Sequence, residues 1–419
     1  MYITDEDIKN YRKGIDCKLT IDGITKSYPS YLVPLEGLYF NDLNGRIATY
    51  VEENASNPDK SIDLESLLRN NDLETYNDRI AEFIKQSAND GGVSFNKTKE
   101  DIKEKGQIKP GVILRSGRII DGNRRFTCLR ELYRDSGDTK YDFFECVILD
   151  DPQTKEQQRS IRSLELNLQF NVDEKKDYNK IDFLVGFYKD TMDTSSPVHF
   201  DMRAYCHASG TKEAVYNDYK NTVEVMLDYL EWRGKPKAFY ILKNEKLDGP
   251  IEELAKKKKR LSPDEWNEKK TVMYTYMTFN RTGDRTRDLR KLLDSAIKDG
   301  TLYRQMKNEV EQPGVIEQLP NAVAQLDQKP ANVEESKARD ETLHSMQDNL
   351  IKTFNQGLYE ESIENDANGP QKSLEAALAS LQKINALQVS NFSKERKEEL
   401  RKTIQSIEDC LDKLKDATN

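Results

Sequence analysis

The sequence has little of the residues that build disulfide frameworks and metal centres. Its 419 residues include only five cysteines and three histidines. The cysteines are odd in number and show no paired spacing, which argues against both a disulfide framework and a zinc site. The histidines are equally scattered along the chain. We therefore expect reduced cysteines that serve mostly in packing, and no metal cluster built from cysteine and histidine.

Long apolar runs are also missing. No stretch approaches the roughly 20 apolar residues that a transmembrane helix needs. The first seven residues, MYITDED, lack the basic and apolar regions of a signal peptide. These absences predict a cytoplasmic protein with no membrane partner.

Positive charge is in deficit. Lysine and arginine together number 65 against 74 aspartates and glutamates, which gives a formal net charge of −9. Basic side chains that neutralise phosphates supply most non-specific DNA affinity, so this balance argues against DNA binding over the whole surface. Any nucleic-acid contact must come from a local patch.

The composition that remains is 36% hydrophobic and 33% charged, which is typical of a helix-rich protein with much solvated surface. The length exceeds what one hydrophobic core usually organises, so we expect about two or three domains.

The clearest local pattern spans residues 112–133. Residues 112–115 (VILR) and 118–121 (RIID) are apolar-rich runs separated by a Ser-Gly pair, which predicts a β-hairpin. Residues 124–133 (RRFTCLRELY) follow a Gly-Asn turn and place their apolar side chains on one helical face. The pattern predicts a strand, a tight turn and the N-terminus of a helix.

The turn at residues 121–125 (DGNRR) has the composition of an anion site. A helix N-terminus offers unpaired backbone N–H groups and a partial positive charge, and Gly122 would let a ligand approach. Arg124 and Arg125 would add charge-assisted contacts worth about 1.5–3 kcal/mol each, against about 0.3–1 kcal/mol for the helix dipole. The alternative is an ordinary helix cap with an Asp–Arg surface ion pair. These five residues alone support the two interpretations equally.

Asp121 poses a separate question. An unneutralised carboxylate next to a bound triphosphate would oppose binding, because two like charges about 4 Å apart repel by roughly 4 kcal/mol at an effective dielectric of 20. A magnesium ion would remove that repulsion. The equally weighted alternative is that Asp121 pairs with Arg124 or Arg125, or caps the helix.

Three further segments accompany the turn in a fixed order. Residues 101–110 (DIKEKGQIKP) predict a helix that ends at its glycine, ahead of the hairpin. Residues 166–170 (LNLQF) follow the turn, and residues 44–47 (NGRI) lie upstream, after a strand predicted at 30–35. In order and spacing, these segments and residues 122–125 (GNRR) resemble the nucleotide-binding domain of the ParB family of chromosome- and plasmid-partition proteins, within the ParB/sulfiredoxin superfamily.

The resemblance implies a nucleotide-binding domain at about residues 25–190 that binds a nucleoside triphosphate, CTP or ATP. Magnesium is a further expectation, with Asp121 and Asn167 as ligands. If the protein is an enzyme, Asp121 and Glu165 are the expected catalytic carboxylates. The residues expected to bind the nucleotide and its phosphates are Arg46, Gly106, Gly122, Asn123, Arg124, Arg125, Asn167 and Gln169.

The sequence departs from the family pattern in two of its motifs. Asn123 replaces the glutamate of the family's Gly-Glu-Arg-Arg, while Leu166 and Phe170 replace the glutamate and arginine of its third motif. In the partition proteins the third-motif glutamate helps to hold the magnesium of bound CTP, so Glu165 would have to supply the lost carboxylate. The Asp-Gly-x-x-Arg form of the turn is similar to that of free-serine kinases and phosphorothioate-DNA proteins of the superfamily. The catalytic cysteine of sulfiredoxin is absent from this turn, which excludes that activity.

Nucleic-acid contacts have three candidate locations downstream. Residues 202–219 predict two helices joined by a Ser-Gly turn, either a DNA-reading helix-turn-helix with Lys212 at the DNA or a purely structural pair. Lys256 and Lys257 begin a basic run that could touch phosphates, although such runs usually form a solvated helix face. An arginine-rich stretch at 280–290 could bind an anion, or its charges could pair internally. Its candidate nucleic-acid contacts are Arg281, Arg285 and Arg287.

Together these patterns predict an α+β fold. A small mixed sheet with helices occupies residues 25–190 after an extension at 1–24, and an all-α region covers 191–310. A linker at 311–336 precedes a C-terminal helical hairpin or bundle at 337–419. The predicted function is ParB-like coupling of nucleoside triphosphate binding to DNA or to a protein partner, a second copy included. The rival hypotheses are a nucleotide-dependent kinase or nuclease of the same superfamily, and an interaction scaffold that has lost the ligand.

Overall fold

The structure is a computed structural model that describes residues 2–56, 62–87, 92–169, 179–280, 283–326, 333–384, 389 and 392–416. Over these ranges the chain has two small sheets and many helices, which confirms the predicted α+β fold class. The strands are β1 (Cys17–Ile21), β2 (Ile24–Tyr28), β3 (Ser30–Pro34), β4 (Gly111–Leu114), β5 (Ile119–Asp121) and β6 (Phe143–Leu149).

The helices dominate the second half of the chain. Short 3-10 turns lie at Gly45–Ile47 and Thr139–Tyr141. In chain order the described α-helices are α1 (Asp5–Asn10), α2 (Ala48–Ser56), α3 (Leu64–Arg69), α4 (Leu73–Gln86), α5 (Val93–Lys105), α6 (Asn123–Ser136), α7 (Lys155–Asn167), α8 (Lys180–Thr191), α9 (Met202–Ser209), α10 (Glu213–Trp232), α11 (Phe239–Asn244), α12 (Asp248–Lys258), α13 (Pro263–Phe279), α14 (Arg285–Lys298), α15 (Thr301–Val310), α16 (Pro313–Leu326), α17 (Val333–Leu381) and α18 (Lys394–Asp416).

The main sheet is mixed and has the strand order β3-β6-β4-β5. β6 pairs antiparallel with β3 and parallel with β4, while β4 and β5 form the predicted antiparallel hairpin. Gly117 turns this hairpin with a φ of 88°, and a Cβ there would overlap the backbone carbonyl oxygen of Gly37. Glycine is therefore required at this turn by both backbone conformation and space.

The sheet is covered on both faces. α6 contributes Phe126 to a cluster on one face, where its ring centroid lies 5.8 Å from that of Phe144 on β6. α7 contributes Leu164 to a cluster on the other face, together with Val112 of β4. Because α6 begins directly after β5 and α7 contacts β5, this layering brings the turn at Gly122 and Gln169, two residues after α7, to one cavity.

Two expected domain boundaries fall inside packed elements. The boundary at residue 24 lies within the β1–β2 hairpin, whose turn residues Asp22 and Gly23 have φ of 50° and 75°. Such Asp-Gly pairs are a strong hairpin signal. α8, placed before the boundary at 190, packs its Val185 and Phe187 into the large core formed by the downstream helices.

Residues 313–326, expected to be part of a linker, instead form helix α16. Leu319, Ala322 and Val323 are buried at the three- and four-residue spacing of a helical face. Packing of this apolar face thus stabilises a helix despite the Pro, Gln and Asn content of the segment. The C-terminal region is helical as predicted, and α18 has no buried residue; its assembly into a hairpin or bundle stays a prediction.

Candidate functional site

α6 begins at a glycine whose backbone conformation and close contacts disfavour any other residue. Gly122 occupies the N-cap with a φ of 102°, in the left-handed region, and no side chain caps the helix. A Cβ at this position would lie 2.8 Å from Cζ of Phe144. The N-cap residue of this 14-residue helix therefore offers no side-chain acceptor to the first-turn amides, which is an arrangement that favours an anion.

A cavity of about 380 Å³ opens at this helix end, and we call it the first cavity. Four basic side chains and one acidic side chain line it, so it is locally positive in a chain of net charge −9. The basic residues are Arg46, Lys109, Arg124 and Arg125, and the acidic residue is Asp121.

Arg125 is a structural clamp within this lining. Its Nη2 donates to Asp121 Oδ2 at 2.7 Å, and its Nη1 donates to the backbone oxygens of Lys109 and Pro110. Both partners of the ion pair are largely buried, with 15% and 12% of their side chains exposed. The pair neutralises Asp121 and ties the entry to β4 to the start of α6. This contact is the Asp–Arg pairing that the alternative interpretation of Asp121 anticipates.

Two amide oxygens in the lining have no partner. Asn123 Oδ1 and Gln169 Oε1 are buried and accept no hydrogen bond from the described residues. Buried acceptors of this kind are rare in native proteins, because each one forfeits its bonds to water. Both oxygens can accept a hydrogen bond from a donor in the cavity or bind a cation there.

Glu165 lies in a buried charge network beside the first cavity, not in its lining. Its Oε1 accepts from Asn41 Nδ2 at 3.2 Å and from Gln169 Nε2 at 3.1 Å, and its Oε2 lies 2.8 Å from Arg162 Nη1. Arg162 also binds both carboxylate oxygens of Asp190, at 2.9 and 3.0 Å. Burial alone would lower the pKa of Arg162, but these two carboxylates raise it well above its ordinary value. Glu165 is thereby held as a neutralised structural carboxylate.

The structure brings together seven of the residues predicted to bind nucleotide or metal and leaves two outside. Gly106 ends α5 with a φ of 74°, and Asn167 is the last residue of α7; neither lines the first cavity. Phe170 and the acidic positions after it lie outside the described residues. The seven residues that line the cavity are Arg46, Asp121, Gly122, Asn123, Arg124, Arg125 and Gln169.

Sequence reasoning missed several polar residues of the lining. Lys109 directly precedes Pro110 within the first recognised motif, so that motif could have indicated it. Asn44, whose Oδ1 accepts from the Arg46 backbone N–H at 3.0 Å, could have been found in the same way from residues 44–47. Ser87 and Thr98 carry no signal in the sequence, because only the packing of α4 and α5 brings them to the cavity.

The predicted nucleic-acid residues are dispersed. Lys212 is the exposed N-cap residue of α10. Lys256 pairs with Glu253, and Lys257 pairs with Asp294. The basic run therefore has the character of a solvated, internally paired helix face.

The helix pair at 202–219 and the arginine-rich stretch at 280–290 also make contacts within the protein. α9 and α10 pack through buried Tyr205 and Tyr216, whose ring centroids lie 5.9 Å apart. Arg285 donates to the backbone oxygen of Glu245, while Arg287 is exposed in the first turn of α14. Arg281 lies outside the described residues.

Comparison with known proteins adds no identity to these observations, since no family model matches the chain and no curated protein matches it in sequence. Among the residues that the structure describes, no group of three or more histidine, cysteine, aspartate or glutamate side chains could hold a metal ion. None of the described helices combines the length and apolar character that crossing a bilayer requires.

Proposed function

We propose that this protein binds a nucleoside triphosphate, CTP or ATP, in the first cavity, and that binding controls its association with DNA or with a protein partner, a second copy included. The observation that carries the proposal is the pairing of an uncapped helix N-terminus with four basic side chains around one space of about 380 Å³. Ligand sites commonly have volumes of about 300–1,000 Å³. The phosphates would occupy the helix end, where backbone amides and guanidinium groups converge.

Magnesium fits this cavity as an ion carried in by the phosphates. Mg²⁺ takes oxygen ligands and usually binds through one or two carboxylates together with substrate phosphates. The partnerless oxygens of Asn123 and Gln169 are ligands of the required type, and Asp121 adds a carboxylate that shares its charge with Arg125. When bound, the ion would neutralise phosphate charge. Asn167 and Glu165 do not line the cavity, so the magnesium would depend on the nucleotide for most of its ligands.

A chain of contacts connects the first cavity to the helical region, which supports the proposal that binding controls association with a partner. The Gly45–Ile47 turn that carries Arg46 contacts α8 and continues into α2. Thr49 Oγ1 of α2 donates to Asp182 on α8, and Asp182 also binds Lys243 of α11. Burial raises the pKa of Asp182 and lowers that of Lys243, so the pair depends on its own attraction to offset desolvation. A ligand that repositions Arg46 would act on this buried contact with the helical region.

Binding is favoured over catalysis by the state of the two candidate catalytic carboxylates. Asp121 is paired with Arg125, and Glu165 is paired with Arg162. A general base must lie within hydrogen-bond reach of the proton that it removes, and in each of these carboxylates one oxygen is already engaged by an arginine. We therefore place the enzymatic hypothesis second.

The test is calorimetric titration of ATP, CTP and inorganic tripolyphosphate, each with and without magnesium. We expect Arg124→Ala to weaken triphosphate binding at least about tenfold, because one charge-assisted contact is worth about 1.5–3 kcal/mol and a factor of ten requires 1.4 kcal/mol. Arg134→Ala is the matched control, since it removes an arginine from the far end of the same helix.

Two outcomes would end the proposal. If the wild-type protein binds no triphosphate at millimolar concentration, the scaffold hypothesis replaces it. If Arg124→Ala and Arg134→Ala bind equally well, the triphosphate binds somewhere other than the first cavity.

A further inference from the structure

A second cavity, of about 430 Å³, lies between the β4–β5 hairpin, α7, α8 and the residues that follow α8. It shares one residue, Ile120, with the first cavity. Residues 43–46 also contribute to both, since Asn44 and Arg46 line the first cavity while Leu43 and Gly45 line the second. The two spaces are therefore neighbours across a common wall.

One part of the second cavity is apolar. Leu114 and Ile120 of the hairpin face this space together with Ile161 of α7. Pro197 and Val198 extend the apolar surface beyond α8. Gly45 and Gly186 also line the space, and a Cβ at Gly186 would lie in ordinary van der Waals contact with Gly45 Cα, at 3.7 Å. A ligand with an apolar body would bury surface against these residues.

The charged side chains of the lining are unevenly neutralised. Glu165 and Asp190 both bind Arg162, as described above. Lys189 and Arg118 have no acidic side chain at ion-pair distance in the described part of the chain, and Arg118 donates only to the neutral oxygen of Asn41. The third carboxylate of the lining, Asp193, accepts from the backbone N–H and hydroxyl of Ser195 and lies 3.8 Å from Lys237 Nζ. Among the described residues, therefore, Lys189 and Arg118 are the cations of the lining that no carboxylate contacts directly.

Lys189 has the surroundings expected of a ligand-binding lysine. Much of its side chain is accessible, yet protein atoms crowd around it, as they do for a side chain that lines a cavity. Burial lowers the pKa of its ammonium group, opposed by Glu52 and reinforced by Arg162. An anion placed against Lys189 would restore the favourable surroundings that burial has removed.

We propose that the second cavity binds a small organic carboxylate with an apolar body, held at its charged end by Lys189 and Arg118. Charge-assisted bonds to the carboxylate would fix the orientation of the ligand, and the apolar residues would select its body. The proposal does not depend on nucleotide binding, because the residues that carry it lie outside the phosphate turn.

Benzoate is the probe, because it joins a carboxylate to a compact apolar ring. Calorimetry and thermal-shift titration without nucleotide would compare it with benzamide, which keeps the ring, and with acetate and inorganic phosphate, which keep only a charge. We expect benzoate to bind at least about tenfold more tightly than the other three.

Substitutions then locate the site. Lys189→Met should weaken benzoate binding at least about tenfold, whereas Lys189→Arg, which keeps the cation, should retain most of it. Lys155→Met removes an exposed lysine of the first turn of α7 that does not line the cavity, and it should have no effect. Melting temperatures measured without ligand show whether each variant is folded.

The proposal is overturned if benzoate does not bind, or if benzamide or phosphate binds as tightly. It is equally overturned if Lys189→Met binds benzoate as well as the wild type does. Failure of triphosphate binding in the first cavity would leave each of these outcomes unchanged, so the two proposals can fail separately.

Discussion

The substitution Asp121→Asn tests whether Asp121 acts as the partner of the Arg125 clamp or as a metal ligand. The substitution keeps the size of the side chain and one acceptor oxygen but removes the charge that faces Arg125 at 2.7 Å. Hydrogen bonds to charged groups contribute about 1.5–3 kcal/mol, and both side chains here are largely buried, so solvent screens the pair little. We expect Asp121→Asn to destabilise the β5–α6 junction by about 2 kcal/mol, which is roughly a 30-fold increase in local opening.

Hydrogen exchange measured by mass spectrometry on peptides covering residues 111–126 reads this opening directly. Asp101→Asn is a matched control, because Asp101 pairs with Lys105 at the same four-residue spacing but on the surface, with 47% and 57% of the side chains exposed. An exposed pair of this kind contributes about 0.3–0.5 kcal/mol, so its exchange should change little. Unchanged protection in Asp121→Asn, together with loss of the magnesium dependence of triphosphate binding, would refute the clamp and establish a metal ligand.

Two further predictions concern pH and DNA. Burial raises the pKa of Glu52 from 4.5 to about 7, against the opposing effects of the Phe239 backbone N–H and Lys189. Because the pKa is higher in the folded protein, Glu52 contributes to the free energy of unfolding fully below pH 4.5, and this contribution is lost as the pH rises to about 7. The loss is at most about 3 kcal/mol. Glu52→Gln stays neutral and can still accept that N–H, so urea unfolding at pH 5 and pH 8 should show the variant gaining on the wild type at the higher pH; parallel pH profiles would contradict this. For DNA, fluorescence anisotropy should show weak or no binding at physiological salt without nucleotide. If binding occurs, charge reversal at Lys256 and Lys257 should flatten its salt dependence, and an unchanged slope would remove these lysines from the interface.

Local sequence signals were sufficient wherever the determining contacts lie within a few residues. The β4–β5 hairpin follows from two apolar runs around a glycine whose φ of 88° few other residues adopt. The end of α5 at Gly106 and the start of α6 at Gly122 are also local, since the backbone conformation of a single glycine decides each of them. Asp22 and Gly23 carry the same kind of local signal, although the β1–β2 hairpin that they turn was not predicted.

The tertiary structure decided how the candidate site is composed. Arg46 lies beside a helix that begins more than seventy positions later, and the sequence predicted this only through the family resemblance. The packing of the 3-10 turn at Gly45–Ile47 and the pairing of β4 with β6 set the proximity. The two arginines of the turn look equivalent in sequence. Only the carbonyl oxygens of Lys109 and Pro110 and the carboxylate of Asp121 make Arg125 a clamp.

The sequence alone determined the α+β class, the helix that opens at Gly122 and the presence of basic side chains near it, since these depend on periodicity, turn chemistry and composition. The role of each charged side chain was decided only by the fold. Whether a carboxylate or a cation is available to a ligand depends on which opposite charge packs against it. Glu165 lies 2.8 Å from Arg162, whereas no carboxylate of the described residues lies at ion-pair distance from Lys189. Those partners come from distant parts of the chain, and burial sets the strength of their interaction through the local dielectric.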